Sequence, residues 1–242
     1  ELMEIDDLDN GSDIFDDIQK PAKISIGMQE WVFPIIGKNC LNTGNFSNGT
    51  GFFINQDGYF ITAGHVLTNQ KQCYKALIDD KEYDIEIIFL EHVEIVNQEF
   101  PFCKDLAICK IDYKRETTLP CFFDTTNADE KKLNIYGFKQ EPPKIIFERK
   151  IVYHYNFPAT DEKLKAARLL EDVNGSNIIE DMRPICENTM SLKLHEGIHY
   201  DGLSGGPVYF ENSIFGMFIG IEYIQSLYII EKLNQCKIPF NK

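Results

Sequence analysis

Asp201-Gly202-Leu203-Ser204-Gly205-Gly206-Pro207 sets a serine inside a dense run of glycines that ends in proline. A serine hydroxyl is a poor nucleophile until a base takes its proton and amide donors hold the oxyanion that follows. Glycines let the backbone bend tightly enough for the N–H groups of Gly202 and Ser204 to point at one spot. The stretch is therefore a candidate nucleophile with its own oxyanion hole, although the same composition also suits a plain flexible turn. The choice between the two rests on whether the rest of the chain supplies a histidine base and a carboxylate to orient it.

Upstream, Gly49-Thr50-Gly51-Phe52-Phe53-Ile54 and Tyr59-Phe60-Ile61-Thr62-Ala63-Gly64-His65-Val66-Leu67 are two apolar β-rich runs joined by Asn55-Gln56-Asp57-Gly58. A turn ending in Asp-Gly between such runs predicts a hairpin, which delivers His65 at the end of its second strand. A lone histidine there has a dull explanation as a half-buried imidazole with one backbone partner. The small residues Ala63 and Gly64 leave room beside the ring and favour a functional role. Asp105 opens the apolar run Leu106-Ala107-Ile108-Cys109. It is either a surface cap or a carboxylate at the mouth of the sheet carrying His65, where it would accept the imidazole N–H and fix the tautomer. His92 follows in a polar stretch and is expected to be solvated.

The remaining chain predicts short strands with frequent turns. Trp31–Ile36 is a strand, Cys73–Leu90 a hairpin turning at Asp79-Asp80-Lys81, and Leu133–Phe138, Ile145–Tyr155 and Met190–Leu194 are further strands. Val208–Phe210 and Ile214–Tyr223 flank a turn at Glu211-Asn212-Ser213. Asp161–Asp172 has helical spacing, and an amphipathic stretch from Ile224 through Leu227, Ile230 and Leu233 predicts a C-terminal helix. The expected architecture is all-β, two antiparallel barrels closed by one helix. The expected division is an acidic arm or linker over 1–20, an N-terminal barrel over 21–118, a C-terminal barrel over 119–223 and the helix over 224–242.

The formal net charge of −14 argues against nucleic acid or an anionic membrane surface as partner, because phosphate binding needs clustered Lys and Arg. Residues 1–20 hold eight acids against Lys20, a net of −7, which leaves −7 for residues 21–242. Such an arm favours solvation and serves as linker or docking strand, or as an arm that binds a basic partner or this domain. Opening on Glu1, the chain suggests a segment of something longer, with a regulatory partner or fused domain. Its most apolar window, Ser213–Ile230, contains Glu222 and is broken by Gly216 and Gly220, so no membrane span is expected. Seven scattered cysteines without a C-x-x-C give neither a complete disulfide framework nor metal-ligand spacing, and point to a reducing, cytoplasmic compartment.

His65, Asp105 and Ser204 thus stand in order, 40 and 99 residues apart. Thr62-Ala63-Gly64-His65, Asp105-Leu106-Ala107 and Gly202-Leu203-Ser204-Gly205-Gly206-Pro207 resemble the three motifs of the trypsin-like, chymotrypsin-fold serine peptidases, and the likeness runs over about Ile24–Tyr223. In the hairpin Gly49–Val66 the chain is most similar to HtrA-type and other intracellular bacterial members, with Val66 where secreted enzymes carry a disulfide cysteine. The resemblance implies two packed six-stranded antiparallel β-barrels and acyl transfer without metal or cofactor. Ser204 is then the nucleophile, His65 the general base, Asp105 its orienting partner, and the N–H groups of Gly202 and Ser204 the oxyanion hole.

One departure bears on control. Where the secreted branch uses an aspartate to pair with a freed N-terminus, this chain has Leu203, so activation is expected from substrate, partner or attached domain. The resemblance also sets Ile198 and His199 at the floor and wall of the primary specificity pocket, and Ile219, Gly220 and Ile221 along the substrate backbone and the opposite wall. Without an aspartate at the floor, an apolar residue before the scissile bond is expected in place of Lys or Arg. Protonation or hydrogen bonding of His199 would instead favour an acidic or amide side chain, and plain structural roles for His195 and His199 stay open. The partner is a protein or peptide substrate. The rival readings are a catalytically silent binding module on the same fold and an esterase-like hydrolase.

Overall fold

Turn chemistry sets the first strands of this computed structural model, which describes residues 30–39, 45–68, 72–92, 105–114, 121–122, 132–141, 144–158, 189–193, 200–210, 213–220 and 222–241. The Asn55 side-chain oxygen accepts from the N–H groups of Asp57 and Tyr59 at 3.0 and 3.2 Å, an Asx turn that reverses the chain between β2 (Asn45–Phe53) and β3 (Tyr59–Thr62). Between β4 (Gln72–Ile78) and β5 (Lys81–Asp84) the whole turn is Asp79-Asp80, with φ of 50° and 60°. Positive φ at both central residues gives the hairpin the twist its strands need, and aspartate tolerates it better than bulkier residues do.

The first sheet also contains β1 (Val32–Asn39), β6 (Glu86–His92) and β7 (Asp105–Lys110). Its order is β5-β4-β1-β2-β3-β7-β6, antiparallel throughout. Only Ile85 separates β5 from β6, so one bent strand leaves the β4 edge and ends on β7. Counted that way, six strands close into a barrel. Phe52, Phe60, Ile61, Leu106 and Ile108 are fully buried in it.

The second sheet comprises β8 (Cys121–Phe122), β9 (Lys132–Glu141), β10 (Lys144–Pro158), β11 (Thr189–Lys193), β12 (Pro207–Phe210), β13 (Ser213–Phe218) and β14 (Glu222–Gln225). Its order is β12-β9-β10-β11-β14-β13-β8, and the extra β12–β13 pairing closes a six-stranded antiparallel ring. The two-residue β8 lies outside that ring, parallel to the start of β13. Leu133, Ile135, Val152, Leu203, Val208, Phe215, Phe218 and Tyr223 form the second core. The expected fold, two antiparallel six-stranded β-barrels with a C-terminal helix, is the one observed.

Aromatic rings join the barrels: Trp31 from the first lies 6.0 Å from Tyr209 of the second, which in turn lies 6.0 Å from Tyr136. Helix α1 (Ser226–Gln235) begins two residues later than the periodicity predicts, because Ile224 and Gln225 remain in the β14 ladder opposite Met217 and Gly216. The helix buries Tyr228, Ile229 and Leu233, and the Tyr228 hydroxyl donates to the Glu91 carboxylate on β6. The acidic arm and the helical segment expected at 161–172 lie outside the described residues. Among those described, no helix is long and apolar enough to cross a membrane.

Candidate active site

After β3 the chain tightens into a 3-10 turn, Gly64–Leu67, and His65 sits on that turn with its side chain about one-fifth exposed, 22%. Asp105 opens the neighbouring strand β7 and is fully buried, so its charge requires partners. Three donors supply them. The His65 backbone N–H donates to Oδ1 at 2.6 Å, the His65 Nδ1 bonds Oδ2 at 2.6 Å, and His92 Nδ1 approaches Oδ1 at 3.3 Å. An ionised carboxylate only accepts, so both imidazoles carry a proton on Nδ1. In that tautomer Nε2 is the ring nitrogen that can act as a base. Gly64 makes the approach feasible: a Cβ there would lie 2.4 Å from the Glu91 carbonyl oxygen and 3.1 Å from Asp105 Oδ1.

Burial acts to raise the Asp105 pKa, but the hydrogen bonds from His65 and His92, the electrostatic attraction of the His65 ring and the His65 backbone N–H outweigh it. They hold the carboxyl below its ordinary value.

His92 is the correction to the sequence reading. It is not solvated: its side chain is 8% exposed, and the β6–β7 register sets it directly opposite Asp105. A polar neighbourhood in sequence gave no hint of this. The one available signal was an alternating strand ending at His92 that pairs with a strand beginning at Asp105.

The serine loop belongs to the second barrel. Gly202 and Gly205 have φ of +81° and +85°, values that favour glycine. At Gly205 the loop meets the first barrel so closely that a Cβ would lie 2.3 Å from the Thr50 carbonyl oxygen, 2.4 Å from Thr62 Oγ1 and 2.8 Å from the Ala63 nitrogen. Ser204 is thereby packed beside the segment that carries His65. Its carbonyl accepts from Thr50 N–H at 2.8 Å.

Within the loop, Leu203 N–H donates to Tyr200 O, Gly205 N–H to Phe218 O and Gly206 N–H to Leu203 O. The Gly202 and Ser204 N–H groups, the two expected to receive an oxyanion, donate to no described residue. Among the described residues the Ser204 hydroxyl likewise makes no hydrogen bond, His65 included. Leu203 is fully buried in the second core, where an apolar side chain anchors the loop in place of an ion pair.

Of the expected pocket residues, Ile219 is buried in the core and its N–H is bonded to the Glu222 carbonyl, so neither its side chain nor its N–H is presented at the surface. Gly220 faces open space, with nothing within 4 Å of a Cβ added there. Ile198, His199 and Ile221, like His195, lie outside the described residues. Among those described, no group of three His, Cys, Asp or Glu side chains could hold a metal ion.

Residues 49–221 match the family model described as "Trypsin-like peptidase domain". A probable periplasmic serine endoprotease of DegP-like type from Rhizobium meliloti is 29% identical over 89 residues, which is 37% of this chain and 15% of that protein. This chain therefore matches a small part of that relative's length. Among solved structures, an inactive form of a mutant Rv3671c from M. tuberculosis aligns with a TM-score of 0.57 and 15% identity, covering 87% of this chain and 89% of the other. The serine endoprotease from Yersinia pestis aligns with a TM-score of 0.55 and 12% identity, covering 86% and 63%. At these identities the two structures share the fold.

Proposed function

Because the chain belongs to the trypsin-like peptidase domain family, we propose that it is a serine endopeptidase acting on protein substrates through Ser204, His65 and Asp105. The observation that carries the reading is the His65–Asp105 pair, in which a fully buried carboxylate holds one imidazole through both its side chain and its backbone. Ser204 Oγ attacks the scissile carbonyl while His65 Nε2 takes its proton, and Asp105 stabilises the imidazolium that forms. The carbonyl oxygen, now negative, receives the N–H groups of Gly202 and Ser204. His65 returns the proton to the leaving amine, and water activated by the same imidazole releases the acyl group. Since Leu203 cannot pair with a freed amino terminus, control falls to substrate, partner or an attached domain. An apolar residue before the scissile bond fits the lack of an aspartate where the resemblance sets the pocket floor, at Ile198 and His199.

The test is labelling with a fluorophosphonate, together with hydrolysis of a peptide library. Wild type should take the label and cleave, and Ser204→Ala should do neither. The absence of a Ser204–His65 hydrogen bond among the described residues favours one alternative, a silent binding module. That alternative wins if wild type, given substrate and candidate triggers, shows no Ser204-dependent labelling.

A further inference from the structure

A loop without an ion-pair latch still has to present two amides at a fixed point. We infer that Thr50 is the positioning residue that holds the oxyanion loop in its working shape, an assignment that rests on the peptidase reading above. Thr50 is fully buried on β2, and all of its polar groups are engaged. Its N–H donates to Ser204 O at 2.8 Å and its carbonyl accepts from the Thr62 hydroxyl at 2.8 Å. Its own hydroxyl donates to Gly202 O at 2.8 Å and accepts from Phe138 N–H on β9 at 3.0 Å. A carbonyl cannot donate and an amide N–H cannot accept, so the direction of both hydroxyl bonds is fixed.

Three successive peptide planes follow Gly202, and each is held. The plane between Gly202 and Leu203 is fixed by the Thr50 hydroxyl on one side and Tyr200 O on the other. The next, which carries the Ser204 N–H, is fixed by Gly206 N–H on Leu203 O. The third is fixed by Thr50 N–H and Phe218 O. Thr50 therefore holds the first and the third, and the second is trapped between them. Of the two amides that donate to no described residue, that of Ser204 lies in the second of these planes and that of Gly202 adjoins the first.

Gly137 makes room for it. A Cβ at that position of β9 would lie 2.7 Å from Thr50 Oγ1 and 2.8 Å from Leu203 Cδ2. Hydroxyl, leucine and glycine thus meet at one point between the barrels.

Thr50→Val keeps the shape and both backbone bonds but deletes the hydroxyl, leaving Gly202 O and Phe138 N–H without it. Thr50→Ser restores the hydroxyl and loses only a methyl group. On a cleaved peptide, Thr50→Val should lower kcat and the fluorophosphonate labelling rate roughly 10- to 100-fold, with KM changed less than about 3-fold, since misplaced oxyanion donors weaken transition-state and not ground-state binding. Thr50→Ser should stay within about 3-fold of wild type. A Thr50→Val enzyme with unchanged kcat, a loss confined to KM, or a Thr50→Ser variant as slow as Thr50→Val would overturn the assignment. If Thr50→Val does not fold, Thr50→Ala is compared with Thr50→Ser at a temperature where both are folded. If no hydroxyl-free variant folds, the residue is a folding determinant and the assignment fails. Wild type that takes no label defeats the peptidase reading itself. Wild type labelled no faster than Thr50→Val defeats only the role of Thr50.

Discussion

The two halves of the candidate site are held by different physics. The histidine corner lies within one barrel, on the turn after β3 and on β6 and β7, and is organised around one buried charge that collects three donors. Among the described residues the serine loop is held without an ion pair, by neutral hydrogen bonds, two of them from Thr50, and by burial of Leu203, and its contacts reach across both barrels. The corner is therefore a titratable device and the loop a docking device. Acidity should act on the first, and anything that loosens the barrel junction on the second.

The largest expected effect that tests this contrast is Asp105→Asn. An amide in place of the carboxylate offers His65 the wrong tautomer, and kcat should fall about 10⁴-fold with the fold retained, measured at saturating peptide. Gly137→Ala strikes the other half. It should slow labelling at least as much as Thr50→Val and lower Tm as well, because its Cβ meets both the Thr50 hydroxyl and Leu203.

His92 gives a smaller and more selective test. Removing it as His92→Ala takes one donor from Asp105 Oδ1, and at 3.3 Å the bond is worth about 1 kcal/mol, so kcat/KM should drop roughly 5-fold. His92→Asn, whose amide can donate to the same oxygen, should recover most of it.

The pH consequence has a definite sign. Asp105 has a folded pKa below its ordinary 3.8, so its contribution to stability is present above that value and is lost as pH falls through the folded pKa. Without His92 the folded pKa rises and the gap narrows. Acid unfolding of His92→Ala, followed by the fluorescence of Trp31, the sole tryptophan, should then begin at higher pH than in wild type. An unshifted transition would show that the long His92 bond carries no weight. The smallest effect is expected from Tyr228→Phe, which removes one of the helix's two contacts with Glu91 and leaves the Lys232 ammonium 3.8 Å from its carboxylate. Stability should fall by about 1 kcal/mol in denaturant titration, with kcat within 2-fold of wild type.

Much of this was legible in the sequence because it is local. Strand periodicity, the Asn55–Gly58 and Asp79-Asp80 turns and the glycines around Ser204 each encode their geometry within a few residues. The three motifs, taken in order, were enough to propose the fold. What escaped is relational. His92 gains its role from a strand register across a 13-residue gap, and Thr50 from a partner loop 152 residues away. A threonine between two glycines in a buried strand has no local signature of the carbonyl it will hold. Leu203 was legible as the loss of an ion pair but not as the buried anchor it proves to be, since burial depends on β9 and β13 closing around it.

The separation of Thr50 from Gly202 also bears on how the molecule is made. A contact spanning 152 residues must repay a loop-closure cost, so it is expected to form after the local hairpins and the first barrel. The histidine corner is complete in the chain once β7 has been synthesised, whereas the serine loop finds its partner only after the second barrel has been built and docked. On the proposed mechanism, a nascent or half-folded chain would carry the base with no fixed nucleophile opposite it. Folding of the second barrel is then a precondition of activity that precedes any trigger, and a chain that ends before Ser204 lacks the proposed nucleophile altogether.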